Sequence, residues 1–316
     1  MKKEPLIILT GPTAVGKTEL SIALAKAVNG EIISADSMQV YRYMDIGTAK
    51  IMPEEMEGIK HYLVDELDPK EEFHVARFQQ MAKDAMDKIY DKGRIPILVG
   101  GTGFYIQALL YDIDFTEQEC DEAYRAELEQ LAAEKGADYL HNMLREVDPA
   151  SADAIHANNI KRVIRALEFY HLSGKRISEH NEKEREKTSP YHFAYFVLTD
   201  ERSHLYANID KRVDLMIEQG LVDEVQKLKN MGFHRDMVSM QGLGYKEILD
   251  YLDGKTTLEE AIYIIKRETR HFAKRQLTWF RRERDVIWLD KQAYDYQDAK
   301  ILDSMINILK EKTIIN

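Results

Sequence analysis

One cysteine, Cys120, in 316 residues excludes a disulfide framework and any zinc module built on thiolates, and it fits a reducing compartment. Positive charge is in deficit: 44 Lys and Arg stand against 55 Asp and Glu, a net charge of −11. That balance excludes a protein that coats nucleic acid through bulk charge, but not one that grips it through a local basic patch. Long apolar runs are missing as well. The chain opens MKKEPLIILTGPTAVGKT, whose apolar stretch soon meets a glycine, and no later run approaches the ~18 residues of a membrane span. The opening therefore reads neither as a signal peptide nor as an anchor, and the expectation is a cytoplasmic protein that makes no membrane contact. Internal repeats and low-complexity linkers are also absent. What remains is 44% apolar and 31% charged, enough for a real core and unlike a disordered chain. The length suits two domains.

The first hundred residues alternate short apolar runs with helical patterns, which argues a parallel α/β sheet. Strands are expected at Leu6–Thr10, Ile32–Ala35, Tyr62–Val64 and Ile95–Val99. Helices are expected at Thr18–Val28 and Phe73–Tyr90, where apolar residues recur on one face. From Asp114 to Pro190 only helical periodicity is found, at Tyr124–Ala133, Asp138–Val147 and Ile160–Leu172, then a charged stretch at Glu179–Lys187. Phe193–Leu198 restores a strand. Helices at Leu205–Gln219, Val222–Asn230 and Leu258–Arg284 precede a last strand, Val286–Leu289. The pattern predicts an α/β core, residues 1–113 and 191–316, carrying an inserted all-helical domain, residues 114–190.

Gly11, Pro12, Thr13, Ala14, Val15, Gly16, Lys17 and Thr18 fit the phosphate-loop pattern G-x-x-x-x-G-K-[ST], with a strand before and a helix after. The glycines let backbone N–H groups turn around a polyphosphate. Lys17 adds a point charge, and the Thr18 hydroxyl is placed to ligate Mg²⁺. This makes the core P-loop NTPase-like and gives the chain a nucleotide-binding, ATP-binding signature. An ordinary NTPase would also show a strand ending in a metal-holding Asp. Here Ile95–Val99 runs instead into Gly100-Gly101-Thr102, and the only strand-terminal acid is Asp36. Ligands of open α/β sheets bind outside the carboxyl ends of the strands, so Lys17, Asp36 and Thr102 are expected around one crevice. Asp36 there could hold metal, take a proton from a nucleophile, or simply cap the next turn.

Six blocks in order, GPTAVGKT, ISADSMQVY (33–41), DIGTAK (45–50), GGTGFY (100–105), GLGYKE (242–247) and RHFAKRQLTWFR (270–281), resemble the bacterial tRNA dimethylallyltransferase (tRNA isopentenyltransferase) family. The resemblance runs from Gly11 to Arg281. The zinc finger of eukaryotic members cannot exist here, because there is one cysteine. The resemblance implies transfer of a dimethylallyl group from dimethylallyl diphosphate to the N6 amine of the adenosine 3′ of a tRNA anticodon, with Mg²⁺, by a monomer. It implies that Asp36 serves the amine, that Thr13, Lys17 and Thr18 serve the diphosphate, and that Arg212 contacts the diphosphate. It also implies tRNA contacts at Asp36, Ser37, Met38, Gln39, Thr102 and Arg125. Further contacts follow at Lys161, Arg162, Val163, Ile164 and Arg165, at Gln241, Gly242, Leu243, Gly244, Tyr245 and Lys246, and at Lys274.

Helical counting adds two basic arcs. Lys161, Arg162 and Arg165 lie opposite Ile160, Val163, Ile164 and Leu167. Lys266, Arg267, Arg270, Lys274, Arg281 and Arg284 cluster on the long helix if it is continuous through Trp279. Three other activities share the phosphate loop: a small-molecule kinase, an RNA-binding P-loop ATPase, and a transferase that alkylates free AMP.

Overall fold

The computed structural model describes residues 3–115 and 121–316; Cys120 lies outside them. The chain forms two compact units, Met1–Leu110 with Pro190–Asn316, and Tyr111–Ser189.

The first unit starts with β1 (Pro5–Thr10), α1 (Lys17–Val28), β2 (Gly30–Ser34), β3 (His61–Tyr62), α2 (Val75–Tyr90), β4 (Ile95–Gly100) and α3 (Gly103–Leu110). The second unit holds α4 (Glu122–Lys135), α5 (Ala137–Val147), α6 (Pro149–Ala154), α7 (Ile160–Ser173) and α8 (Ile177–Glu186). The chain then returns to the first unit with β5 (His192–Thr199), α9 (Arg202–Glu218), α10 (Leu221–Asn230), α11 (Tyr245–Leu252), α12 (Leu258–Phe280), β6 (Val286–Asp290) and α13 (Asp298–Glu311).

Among the described residues six strands form one sheet in the order β3-β2-β4-β1-β5-β6, and each of these pairings is parallel. Strands covered on both faces need apolar residues throughout rather than alternation. Leu6, Ile7, Ile8 and Leu9 of β1 and Ala194–Leu198 of β5 are accordingly buried without a break. The register sets Thr10 beside Gly100 and Ser34 beside Val99, so β1, β2 and β4 end level with one another. Their carboxyl ends carry the phosphate loop, Asp36 and the Gly101-Thr102 turn.

The second unit is wholly helical among its described residues, with a core of Leu128, Leu140, Leu144, Val163, Ile164 and Leu167. Buried Asp148 organises one end of it. Its carboxylate caps α6 by accepting from Ser151 N–H (3.0 Å) and also receives the hydroxyls of Ser151 and Ser178 at 2.7 Å.

Helix α12 is continuous through Trp279 but ends at Phe280, short of the expected Arg284, so Arg281 is its C-cap and Arg284 lies beyond the helix and outside the second basic arc. Four helices were not anticipated: α3, α6, α11 and α13. In α3, Tyr105, Ile106, Ala108, Leu109 and Leu110 are all buried, so it lacks the polar face that would reveal a helical period.

Candidate active site

The chain leaves β1 at Thr10 and enters α1 at Lys17 through a loop that Gly16 closes in the left-handed region, φ 93°. An L side chain adopts that conformation only at a cost, which is why glycine stands there. Gly16 gives α1 no side-chain cap, so the first-turn N–H groups remain for an anion. The Lys17 ammonium is folded back onto the loop and donates to the carbonyl oxygens of Gly11 (3.0 Å) and Pro12 (2.8 Å). Burial pushes Lys17 down to about 7, the nearby Arg212 charge pushes the same way, and Asp36 pulls it back up. Arg212, half-buried on α9, is lowered by burial and supported by Asp36. Two cations and one carboxylate from α1, α9 and the end of β2 therefore share one electrostatic neighbourhood.

Asp36 follows the end of β2 after one residue, Ala35. Its Oδ1 accepts the N–H groups of Met38 (2.8 Å) and Gln39 (3.3 Å), closing the turn that carries Ser37, Met38 and Gln39. The capping role considered for Asp36 is thus real, but it engages only one oxygen: no hydrogen bond to Oδ2 is found among the described residues. The Thr102 N–H donates to Ala35 O at 3.2 Å, which sets Thr102 against the segment leading into Asp36. Ser37, Met38, Gln39 and Thr102 are all half-buried.

Sequence reasoning missed three residues that organise this site. Gln276 on α12 accepts from Thr13 N–H (3.0 Å) and donates to Gly101 O (2.9 Å). Trp279, one turn further on, packs against Gly103, where an added Cβ would lie 2.3 Å from the ring. Glu224 on α10 accepts the backbone N–H groups of Asp45 (2.9 Å), Ile46 (2.8 Å) and Gly47 (3.1 Å) and the Tyr245 hydroxyl (2.8 Å). Glu224 thereby holds the 45–50 block, whose Thr48 and Ala49 carbonyls in turn receive the Gln39 amide. Each partner lies far away in sequence, beyond the reach of local pattern. A long-range contact leaves no periodic signal.

Among the described residues no group of three or more His, Cys, Asp or Glu could cage a metal. What the site does offer is the exposed Thr18 hydroxyl on the first turn of α1 and the Asp36 carboxylate. This sparse donor set fits Mg²⁺, which keeps several waters and draws its remaining ligands from substrate phosphates.

The expected RNA contacts divide by burial. In the second unit Lys161 and Arg162 are exposed and Arg165 is half-buried. Arg125 donates through Nη2 to both oxygens of fully buried Glu168 (3.1 and 2.8 Å), and Arg165 Nη1 reaches the same carboxylate at 3.1 Å. Burial opposes ionisation of Glu168, but the bonds from Arg125 and then Arg165 outweigh it and hold the carboxyl below its ordinary value. Val163 and Ile164 correct the expectation. Both are buried in the core of this unit, because they face away from the basic arc, and their side chains are closed to RNA.

In the first unit Lys274 and Gln241 are exposed, and Gly242, Leu243 and Lys246 are half-buried. Gly244 and Tyr245 are buried, the tyrosine committed to Glu224, so neither offers a side chain to RNA. The arc on α12 is also narrower than counting implied. Lys266 pairs with Asp214 (2.6 Å) and Arg270 with Asp210 (2.5 Å), both acids on α9. Those two cations fasten helix to helix.

Comparison with known proteins bears on what this arrangement is. Residues 39–283 match the family model described as IPP transferase. The chain is 64% identical over 312 residues to the tRNA dimethylallyltransferase of Lachnoclostridium phytofermentans, covering 99% of each protein. It is 54% identical over 300 residues to that of Acetivibrio thermocellus, covering 95% of this chain and 96% of the relative. Among solved structures, the full-length tRNA isopentenylpyrophosphate transferase of Bacillus halodurans superposes with a TM-score of 0.74 at 48% identity, over 98% of each chain. A eukaryotic dimethylallyltransferase acting on tRNA gives 0.78 at 33% identity, over 91% of this chain and 74% of that one. The family-model match covers most of the chain, and with relatives this similar over nearly their whole length the chain belongs to the IPP transferase family.

Proposed function

We propose that this protein transfers the dimethylallyl group of dimethylallyl diphosphate to the N6 amine of the adenosine 3′-adjacent to a tRNA anticodon, releasing diphosphate. The observation that carries the reading is the meeting of Lys17, Arg212 and Asp36 at the carboxyl ends of the parallel strands.

The chemistry asks for such a group. An aromatic exocyclic amine is a weak nucleophile, because its lone pair is shared with the ring. The allylic carbon compensates if negative charge building on the departing diphosphate is neutralised. The open N-terminus of α1, Lys17 and Arg212 supply that neutralisation. When diphosphate arrives, Lys17 exchanges the Gly11 and Pro12 carbonyls for phosphate oxygens. Thr18 would hold Mg²⁺, which when bound supplies further positive charge to the leaving group. Asp36 keeps Oδ1 on its own turn and has Oδ2 to accept the amine proton as the carbon–nitrogen bond forms. The target base must leave the anticodon-loop stack to reach Asp36, which single-stranded loops permit at modest cost. Exposed Lys161, Arg162 and Lys274, with Arg125 and Arg165 presented by Glu168, are the cations that meet the RNA backbone.

Incubation with labelled dimethylallyl diphosphate and tRNA, in parallel with labelled ATP and candidate acceptors, tests the assignment. Label from the allylic donor is expected in tRNA, with no phosphoryl transfer from ATP. Phosphorylation of an acceptor, or ATP turnover stimulated by RNA without a modified base, would replace the reading with a kinase or an ATPase.

A further inference from the structure

The geometry points to Gln276 as a positioning residue that sets the distance between leaving group and acceptor. It rests on the transferase reading above and adds to it a part that no motif assigns. Its side chain is 6% exposed and holds two loops with one amide. Oε1 accepts from Thr13 in the phosphate loop at 3.0 Å, and Nε2 donates to Gly101 in the turn after β4 at 2.9 Å. The approach on the second side needs Gly101, since a Cβ there would lie 2.1 Å from Nε2.

The chain of contacts continues on both sides. Thr102 donates to Ala35 O at 3.2 Å, and Ala35 N–H donates to Val99 O at 2.7 Å, directly before Asp36. On the other side Thr13 shares its loop with Lys17, which lies on Gly11 and Pro12. One buried amide therefore spans the gap between the group that holds diphosphate and the segment that presents the base. Only an amide does this at such length. A carboxylate of the same shape accepts but cannot donate, and a thioether does neither effectively.

The consequence concerns kcat rather than affinity. Each loop can still fold and bind its own substrate without Gln276, but their separation is no longer fixed. Bimolecular chemistry in a site depends on near-attack geometry, and a displacement of about 1 Å can cost roughly 10²-fold. A displaced amine also leaves the allylic carbon open to water. In that side reaction the carbon–oxygen bond to diphosphate breaks, and diphosphate leaves with the electron pair. A water oxygen bonds to the carbon, and its proton passes to solvent.

The test compares full-length wild type with Gln276→Met, which keeps length and removes both hydrogen bonds. It measures kcat, the equilibrium affinity for each substrate alone, and the ratio of diphosphate released to adenosine modified. The expected result is a fall in kcat of about 10–100-fold, affinities changed by less than about threefold, and diphosphate release in excess of modification. Wild-type kcat, a loss confined to the affinity for one substrate, or a lower melting temperature with a release ratio of one would each overturn the proposal. Should Gln276→Met fail to fold, Gln276→Glu keeps the acceptor for Thr13 and loses the donor, and the same excess release is expected. If the wild type modifies no tRNA, it is the transferase reading that fails; if it does and the variants match it, the strut fails.

Discussion

Lys17 carries two burdens, because the burial that readies it for an anion also disfavours its own charge. With the folded value near 7 and the ordinary value at 10.5, the folded protein binds fewer protons than the unfolded chain between those limits. Stability should therefore rise with pH across that window. The cost is fully present below about pH 7 and on the order of a few kcal/mol. Lys17→Met should melt higher than wild type at pH 6, with the difference shrinking toward pH 10. Diphosphate affinity should run the other way: it weakens as pH rises through about 7, because the free lysine loses its proton. Binding at pH 8 should take up a proton, which calorimetry in buffers of different ionisation enthalpy reads directly. No proton uptake would mean that Lys17 is already charged in the free protein. Lys17 and Asp36 were legible as residues, because a phosphate-loop pattern and a strand-terminal acid are local signals. The strong perturbation of Lys17 was not, since it comes first from burial and then from Arg212, nearly two hundred positions away.

Helices and strands were more legible than what joins them. The buried runs of β1 and β5 and the apolar faces of α1, α2 and α7 can be read at the right period, whereas α3, apolar but for Gln107, cannot. Charge patterning on α12 shows why a helical wheel is an incomplete guide: of its cations, Lys266 and Arg270 belong to acids on α9, while Lys274 is exposed. This makes a graded prediction for tRNA binding. Lys161→Ala or Lys274→Ala should each lower the slope of log affinity against log salt by about one unit or less. Lys266→Ala should leave the slope alone and lower the melting temperature, because Asp214 already neutralises it. Equal slopes for Lys266→Ala and Lys274→Ala would show that counting along the wheel was the better guide. The same reasoning explains Val163 and Ile164, which sit among basic residues yet are buried in the core of the helical unit and anchor their helix there.

For the whole molecule, an acidic chain that handles RNA must concentrate its positive charge, and it does so in small, supported groups rather than over a surface. Glu168 is the clearest instance, a buried carboxylate that spends its charge on presenting two arginines. The division into an α/β unit and a helical one followed from composition along the chain. The expected joins at 113/114 and 190/191 compare with units meeting after Leu110 and Ser189. What composition could not supply was the polar scaffolding of the site, Gln276, Glu224 and Glu168, because each links segments that only the fold brings together. In the function proposed, this scaffolding serves prenyl transfer with Asp36 at the acceptor. Mass spectrometry of tRNA incubated with dimethylallyl diphosphate, Mg²⁺ and either wild type or Asp36→Asn tests it most directly. Asparagine retains the turn-closing oxygen and removes the base. A dimethylallyl group is expected on the adenosine 3′ of the anticodon with wild type. With Asp36→Asn, turnover should be lower by roughly 10²–10⁴-fold at unchanged tRNA affinity. Modification at the wild-type rate by Asp36→Asn, or no modified adenosine with wild type, would contradict it.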